Sequence, residues 1–302
     1  MNTNTLGAVV SLLIAGLLCS AGRTAGAPER PAISGVVGIR LLCSDIEKSQ
    51  VFYGKLLGLR ECHSDAVLCF QLNTIQKIEL DAVSQQEGSS HLVFVAFSTN
   101  DASALRRHMA GNGLGVGNEI SLADETRFFQ VPDPENHALR FVQHPTPLTL
   151  AQRGPANQIS NRMIHTGYPV HDRAAMDHFY KSILGFHVYW HGGRKDDETD
   201  WVDMQVPDGT DWIEYMLNVP PNADKRLLGV MNHIALGVPD IHAAEKQLRA
   251  NGWNGDEQPK IGRDGKWQLN LYDPDQTRVE LMEFTPAKEP CCSPYTGPHP
   301  KP

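Results

Sequence analysis

Two histidines and two glutamates recur at matched places in the C-terminal half of the chain. His165 is followed seven residues later by Asp172, and His233 seven residues later by Asp240. Glu214 lies 49 residues after His165, and Glu280 lies 47 after His233. A lone His in Met163-Ile164-His165-Thr166 is ordinarily a satisfied or surface residue. A lone Glu in Val279-Glu280-Leu281 is ordinarily the solvent-facing position of an alternating strand. Neither ordinary reading explains why both halves carry His and Glu at equivalent positions. Four such side chains converging on one point offer two imidazole nitrogens and two carboxylates. That set suits one divalent Zn, Ni, Co, Fe or Mn ion per chain, five- or six-coordinate, with positions open to water or substrate.

The elements that must position these residues can be read around them. Asp172 and Asp240 are placed as helix N-caps. Phe179, Ile183 and Leu184 recur at helical spacing, as do Ala244 and Leu248. Gly185 and Gly252 are placed as helix stops. Strand-like runs follow at 186–190, 201–206, 212–217, 230–237, 267–272 and 278–284. Each half is thus βαβββ. Such a half paired with its copy makes a pseudo-two-fold sheet that can curl into a cup, with matched residues facing one another across the axis.

The same pattern repeats on a larger scale. Phe52-Tyr53 to Leu59 matches Phe179-Tyr180 to Phe186 at an offset of 127, and Ile78-Glu79-Leu80 matches Ile213-Glu214-Tyr215 at 135. Asp101 to Gly113 matches Asp240 to Gly252 at 139, and Asp133-Pro134 matches Asp273-Pro274 at 140. Offsets growing in one direction indicate small insertions in the second copy. The first falls in the polar stretch His191 to Asp200. The expected architecture is α+β: a first module at 34–145, a linker at 146–159 and a second module at 160–286. The Pro-rich tail at 287–302 reads as extended and poorly packed. In the first module the offsets place Gly38, Phe94 and Arg140 where the second has His165, His233 and Glu280. Only Glu79 remains, and His91 is three residues out of register. The first module is expected to be a metal-free structural partner.

The second module resembles the vicinal oxygen chelate superfamily, which includes glyoxalase I, fosfomycin and bleomycin resistance proteins and type I extradiol dioxygenases. Three stretches carry the resemblance: Ile164-His165-Thr166, Asn232 to Asp240, and Tyr272 to Glu283. It covers nearly all of both modules and implies a tandem pair of the superfamily's curled mixed sheets. For chemistry it implies foremost a glyoxalase-like lyase or isomerase acting on vicinal oxygens through a metal-stabilised enediolate. Glu280 would be both ligand and base, and Glu214 the steadier ligand. The alternative is an extradiol-type Fe(II) dioxygenase using His165, His233 and Glu280. Against it, Gly262-Arg263-Asp264 supplies Asp where that family expects His, and Tyr272-Asp273-Pro274 is one residue short. A non-catalytic binding or resistance protein is a third reading, weakened by retention of all four candidate ligands. Of Trp201, Trp212, Tyr215, Trp267, Tyr189 and His187, most are expected as core and some as cup lining. Arg263 and Lys266 read as a solvated loop.

The remainder of the sequence bounds the setting. The 302 residues carry 27 Lys+Arg against 35 Asp+Glu, with no Lys/Arg-rich block, which argues against nucleic acid or an anionic membrane as partner. The expected partner is a small-molecule substrate, and the expected state a monomer or homodimer. Leu6 to Leu18 is apolar but too short to span a bilayer, and Ala25-Gly26-Ala27 before Pro28 is a small-residue cleavage site. Residues 1–27 are therefore expected to be an export signal, giving a secreted or periplasmic protein with no membrane span after cleavage. Cys43, Cys62 and Cys69 lie in apolar runs and read as buried small hydrophobes. Nothing in the sequence decides between disulfide and metal for Cys291-Cys292.

Overall fold

The computed structural model describes Met1 and residues 30–64, 67–82, 92–145 and 154–302. The apolar start with Cys19, His91 and most of the linker lie outside the described residues.

The fold is α+β, as the repeat predicts, with two eight-stranded mixed sheets. The first holds β1 (Ile33–Cys43), β2 (Arg60–Ser64), β3 (Val67–Gln71), β4 (Lys77–Ala82), β5 (Leu92–Thr99), β6 (Ile120–Ser121), β7 (Arg127–Pro132) and β8 (Ala138–Gln143). Its order is β2-β3-β4-β1-β5-β8-β7-β6. The second holds β9 (Met163–Pro169), β10 (His187–Gly192), β11 (Trp201–Gln205), β12 (Trp212–Met216), β13 (His233–Val238), β14 (Lys260–Ile261), β15 (Trp267–Tyr272) and β16 (Arg278–Glu283). Its order, β10-β11-β12-β9-β13-β16-β15-β14, is the first with every strand advanced by eight. The first strands of the two halves, β9 and β13, lie antiparallel at the centre. Each runs parallel to the last strand of its own half, β12 or β16. The helices are α1 (Ile46–Ser49), α2 (Ala102–Gly111), α3 (Arg173–Asp177), α4 (Lys225–Met231) and α5 (Ile241–Ala250). Asp172 and Asp240 cap α3 and α5 by accepting from the N–H of Ala175 and Ala243 at 3.0 and 2.9 Å.

Several sequence expectations need correction. Only Arg173–Asp177 of the expected helix is α; His178–Ile183 winds as a π-helix, as Gln50–Leu56 does after α1. Over so short a run, apolar spacing reads alike for both. The run at 230–237 is not one strand. Asp224 caps α4 through Met231, Asn232 closes it by bonding Leu228 O, and β13 begins at His233. Cys62 and Cys69 stand directly opposite across β2 and β3, with Cα atoms 4.8 Å apart, and form a disulfide rather than two free hydrophobes. Cys291 and Cys292 are also joined, and among the described residues Cys43 is free and buried.

The tail is packed, contrary to its Pro-rich composition. It runs beside the edge strand β10, which would otherwise present unpaired backbone groups. Thr296 N donates to Tyr189 O, Ser293 Oγ bonds both N and O of His191, and Trp190 Nε1 donates to Cys291 O. Tyr295 packs against Tyr189 with ring centroids 4.6 Å apart and planes tilted by 46°.

One apolar core cluster runs through both sheets. Polar pairs lock them further. Gln76 Nε2 donates to Val36 O in its own sheet and to Met163 O in the other. Tyr53 OH donates to Asp273 Oδ2 at 2.9 Å, and Tyr180 OH donates to Asp133 Oδ2 at 3.3 Å. Each sheet's helical Tyr thus reaches the other's Asp-Pro turn.

Candidate metal centre

The four inner strands of the second sheet carry two adjacent cross-strand rows. One row is Glu214, Gly167, His233 and Arg278. The next is Trp212, His165, Ala235 and Glu280. The rows are two residues apart on every strand, so all these side chains share one face. The pseudo-two-fold axis exchanges the two His and the two Glu. Gly167 and Ala235, at the axis, leave room for the imidazoles between them.

The sequence-predicted residues are brought together. His165 Nε2 lies 3.1 Å from His233 Nε2. Glu214 Oε2 lies 2.8 Å from His233 Nε2 and 3.7 Å from His165 Nε2. Glu280 Oε2 stands 3.7 Å from His165 Nε2. His165, Glu214 and His233 form the tight group, with Glu280 at its edge. His233 Nδ1 faces Met231 O at 3.0 Å, so the end of α4 fixes the ring with its Nδ1–H on the carbonyl and its Nε2 lone pair toward the cluster.

A divalent ion fits this donor set. Ligand bonds near 2.1 Å at right angles separate two donors by about 3.0 Å, which brackets the short N···N and N···O contacts. Burial holds both imidazoles well below their ordinary pKa, so they are neutral ligands. Burial also pushes both carboxyls up to about 7, against the nearby Arg278 guanidinium.

Above the cluster is a cavity of about 320 Å³ walled by Trp190, Trp201, Trp212 and Met282. Trp212 packs on His165 at 4.6 Å between centroids. Trp212 Nε1, Asn270 Oδ1 and Arg278 Nε are buried without a partner among the described residues, which suits a ligand with oxygens. Under the floor lies Lys266, fully buried rather than solvated. Its ammonium sits 4.6 Å from the Trp212 ring and 5.4 Å from those of Tyr189 and Tyr295. Burial lowers its pKa to about 8, against the pull of Asp264 and Asp203. Of the other expected residues, Arg263 lines the cavity and donates to Gly193 O, while Tyr215 is core and His187 bonds Gln205 away from the site.

The family comparison now bears on this geometry. Residues 162–281 match the model of the Glyoxalase/Bleomycin resistance protein/Dioxygenase superfamily. The second module belongs to that superfamily. The search of curated protein sequences returned no match. Among solved structures, the chain is similar to a Mn(II)-bound glyoxalase from Novosphingobium aromaticivorans (TM-score 0.63, 15% identity, 84% of this chain and 83% of that one covered). It is also similar to a variant of homoprotocatechuate 2,3-dioxygenase from B. fuscum (0.64, 19%, 84% and 72%). A third is a 2,3-dioxygenase from Pseudomonas sp. KL28 (0.61, 17%, 90% and 94%). At these identities the likeness is one of fold, and it extends over both sheets.

The first sheet repeats the strand order of the second without this donor set. Gly38 pairs with Lys77 and Ala96, Ala96 with Arg140, and Arg40 with Glu79 and Phe94. These registers put Gly38, Phe94, Arg140 and Glu79 at the four positions, as the offsets imply. Glu79 is held by Arg40 at 2.7 Å and Lys77 at 2.6 Å.

Sequence reasoning missed Gly167, Asp203, Asn270, Arg278 and the burial of Lys266. Gly167 and Arg278 were within reach, since each lies two residues from a candidate ligand on the same strand face.

Proposed function

We propose that the protein is an exported metal-dependent enzyme of the glyoxalase-like kind, a lyase or isomerase of a small substrate with vicinal oxygens. The observation that carries this is the asymmetry among the four donors. Glu214 reaches both imidazoles, at 2.8 Å from His233 and 3.7 Å from His165, while Glu280 reaches His165 alone, at 3.7 Å. His165, His233 and Glu214 would hold the ion, and Glu280 would be free to move a proton. A bound divalent ion would polarise vicinal oxygens and so acidify the adjacent C–H. A carboxylate standing beside the ion can take that proton and return it. Three Trp side chains wall the cavity, and Arg278 stands by the carboxylates.

The test is Glu280→Gln, which keeps an oxygen donor and the volume but removes the base. Metal content should fall only modestly and turnover by about 10²–10⁴, screened on a 2-oxoaldehyde–thiol adduct. Full activity with full metal would defeat this assignment. The second reading, a ring-cleaving dioxygenase, is favoured by the tandem architecture shared with the two dioxygenases over most of their length. Oxygen consumption with an aromatic diol would select it, and oxygen-independent turnover would exclude it. Export is supported by two disulfides, which persist in oxidising compartments. N-terminal sequencing should find Pro28 or a near neighbour first; Met1 intact on a cytosolic protein would remove export from the proposal.

A further inference from the structure

The pseudo-two-fold axis that matches the four donors does not match their neighbours. Trp212 stands two residues before Glu214 and pairs with His165, while Arg278 stands two before Glu280 and pairs with His233. One position of the cup thus carries an indole in the first half and a guanidinium in the second. Asp203, opposite Glu214, and Asn270, opposite Glu280, are a second mismatched pair.

The mismatch divides the cavity into two unlike walls. From β10 to β12 the lining beside the donors is Trp190, Trp201 and Trp212, with Asp203. From β14 to β16 it includes Lys260, Arg263 and Arg278, with the amides of Gln268 and Asn270. Asp264 also lies on this second side, but it accepts from Lys266 N at 3.2 Å and Gln268 Nε2 at 3.1 Å. Arg263 is engaged by Gly193 O and Asp196. Arg278 is held less closely. Its Nε is buried without a partner among the described residues. Its Nη2 lies 3.9 Å from Glu214 Oε2, beyond hydrogen-bond reach, and that oxygen is directed at His233 Nε2 at 2.8 Å. A forked donor left unbonded at a cavity matches a carboxylate. Asn270 Oδ1, on the adjacent strand and the same face, is a buried acceptor also without a partner among the described residues, placed for a hydroxyl. Across the cup, indole rings offer an aromatic body a broad apolar surface. A cavity of about 320 Å³ admits one ring with a short acid chain.

We propose that the substrate of this site is a monocarboxylate with an aromatic body. The carboxylate meets Arg278, the ring lies against Trp201 and Trp212, and the vicinal oxygens fall between them at the four donors. This names a substrate class for the function proposed above and rests on that reading.

3-Phenyllactate is the probe. The control is 3-phenylpropane-1,2-diol, which keeps the ring and a vicinal pair of oxygens and lacks the charge. Both are titrated calorimetrically into the mature chain with its metal, and metal is measured in the same samples. Phenyllactate should bind in about the millimolar range or tighter, and at least about tenfold tighter than the diol. Arg278→Met should erase that preference with metal content unchanged, and Arg278→Gln serves if the Met variant does not fold. Trp201→Ala should weaken both probes alike. The proposal is overturned if phenyllactate does not bind, if the diol binds equally, or if Trp201→Ala leaves both probes unmoved. It is also overturned if the preference persists in an Arg278 variant that keeps its metal, which would put the carboxylate on the ion alone, or if metal is lost with Arg278. Metal at one per chain without the preference defeats this proposal and spares the metal-dependent function. A chain isolated without metal that still prefers phenyllactate through Arg278 defeats that function and upholds the carboxylate site.

Discussion

A Cβ at Gly167 would lie 2.0 Å from His233 Cε1 and 2.5 Å from its Nδ1. The imidazole occupies the space that any other residue's side chain would take. Gly167→Ala should therefore displace His233 and strip the chain of stoichiometric metal by elemental analysis, at a stability cost of about 1–3 kcal/mol. Metal retained at one per chain would show that the ring can be held from elsewhere. Glu79→Ala should do the reverse. Metal content should stay unchanged, because Gly38, Phe94 and Arg140 offer no donor set, while stability falls by about 1–3 kcal/mol from the lost bonds to Arg40 and Lys77. Two metals per chain in the parent would mean the first sheet has been misread. The four candidate ligands were legible in the sequence because a doubled spacing is improbable by chance. Lys266 was not, because its burial depends on Tyr189 and Tyr295, remote from it in the chain.

At the level of elements, period-two strands and Asp caps carried most of the topology, since both are local signals. The π-helices, α4 and the tail were not legible, because each is decided by what it packs against. The tail gives the clearest test. Its backbone and Ser293 cover β10, and Tyr295 closes the aromatic cage round the Lys266 ammonium. Deleting 287–302 should lower the melting midpoint by roughly 5 °C or more, a shift equivalent to about 1–2 kcal/mol or more. Metal content should persist, since none of the four donors lies in the tail. Coincident melts of the truncated and full chains would show that the tail contributes nothing to stability.

Across the whole molecule, the crossed Tyr53–Asp273 and Tyr180–Asp133 pairs tie each sheet to the other. Burial pushes the Asp273 carboxyl up to about 6, against the bonds it accepts from Tyr53 and the N–H of Thr277. The sign follows from linkage: between the unfolded value near 4 and the folded value near 6, the folded chain binds more protons. This carboxyl therefore opposes folding progressively as pH rises through that window, by roughly 3 kcal/mol once above it. Asp273→Asn removes the titration, so its stability relative to the parent should improve from pH 4 to pH 7 in denaturant melts. A pH-independent difference would mean Asp273 titrates normally. The crossed pairs also bear on the protein's history. A repeat within a repeat is what two rounds of gene duplication leave behind. The two copies differ where the second carries its donors, the first having Gly38, Phe94 and Arg140 there. Neither copy was released from fit, because a change at either Asp-Pro turn would be felt by its sibling's tyrosine. Two siblings can thus differ in the residues that line their cups while each stays bound to the other's shape.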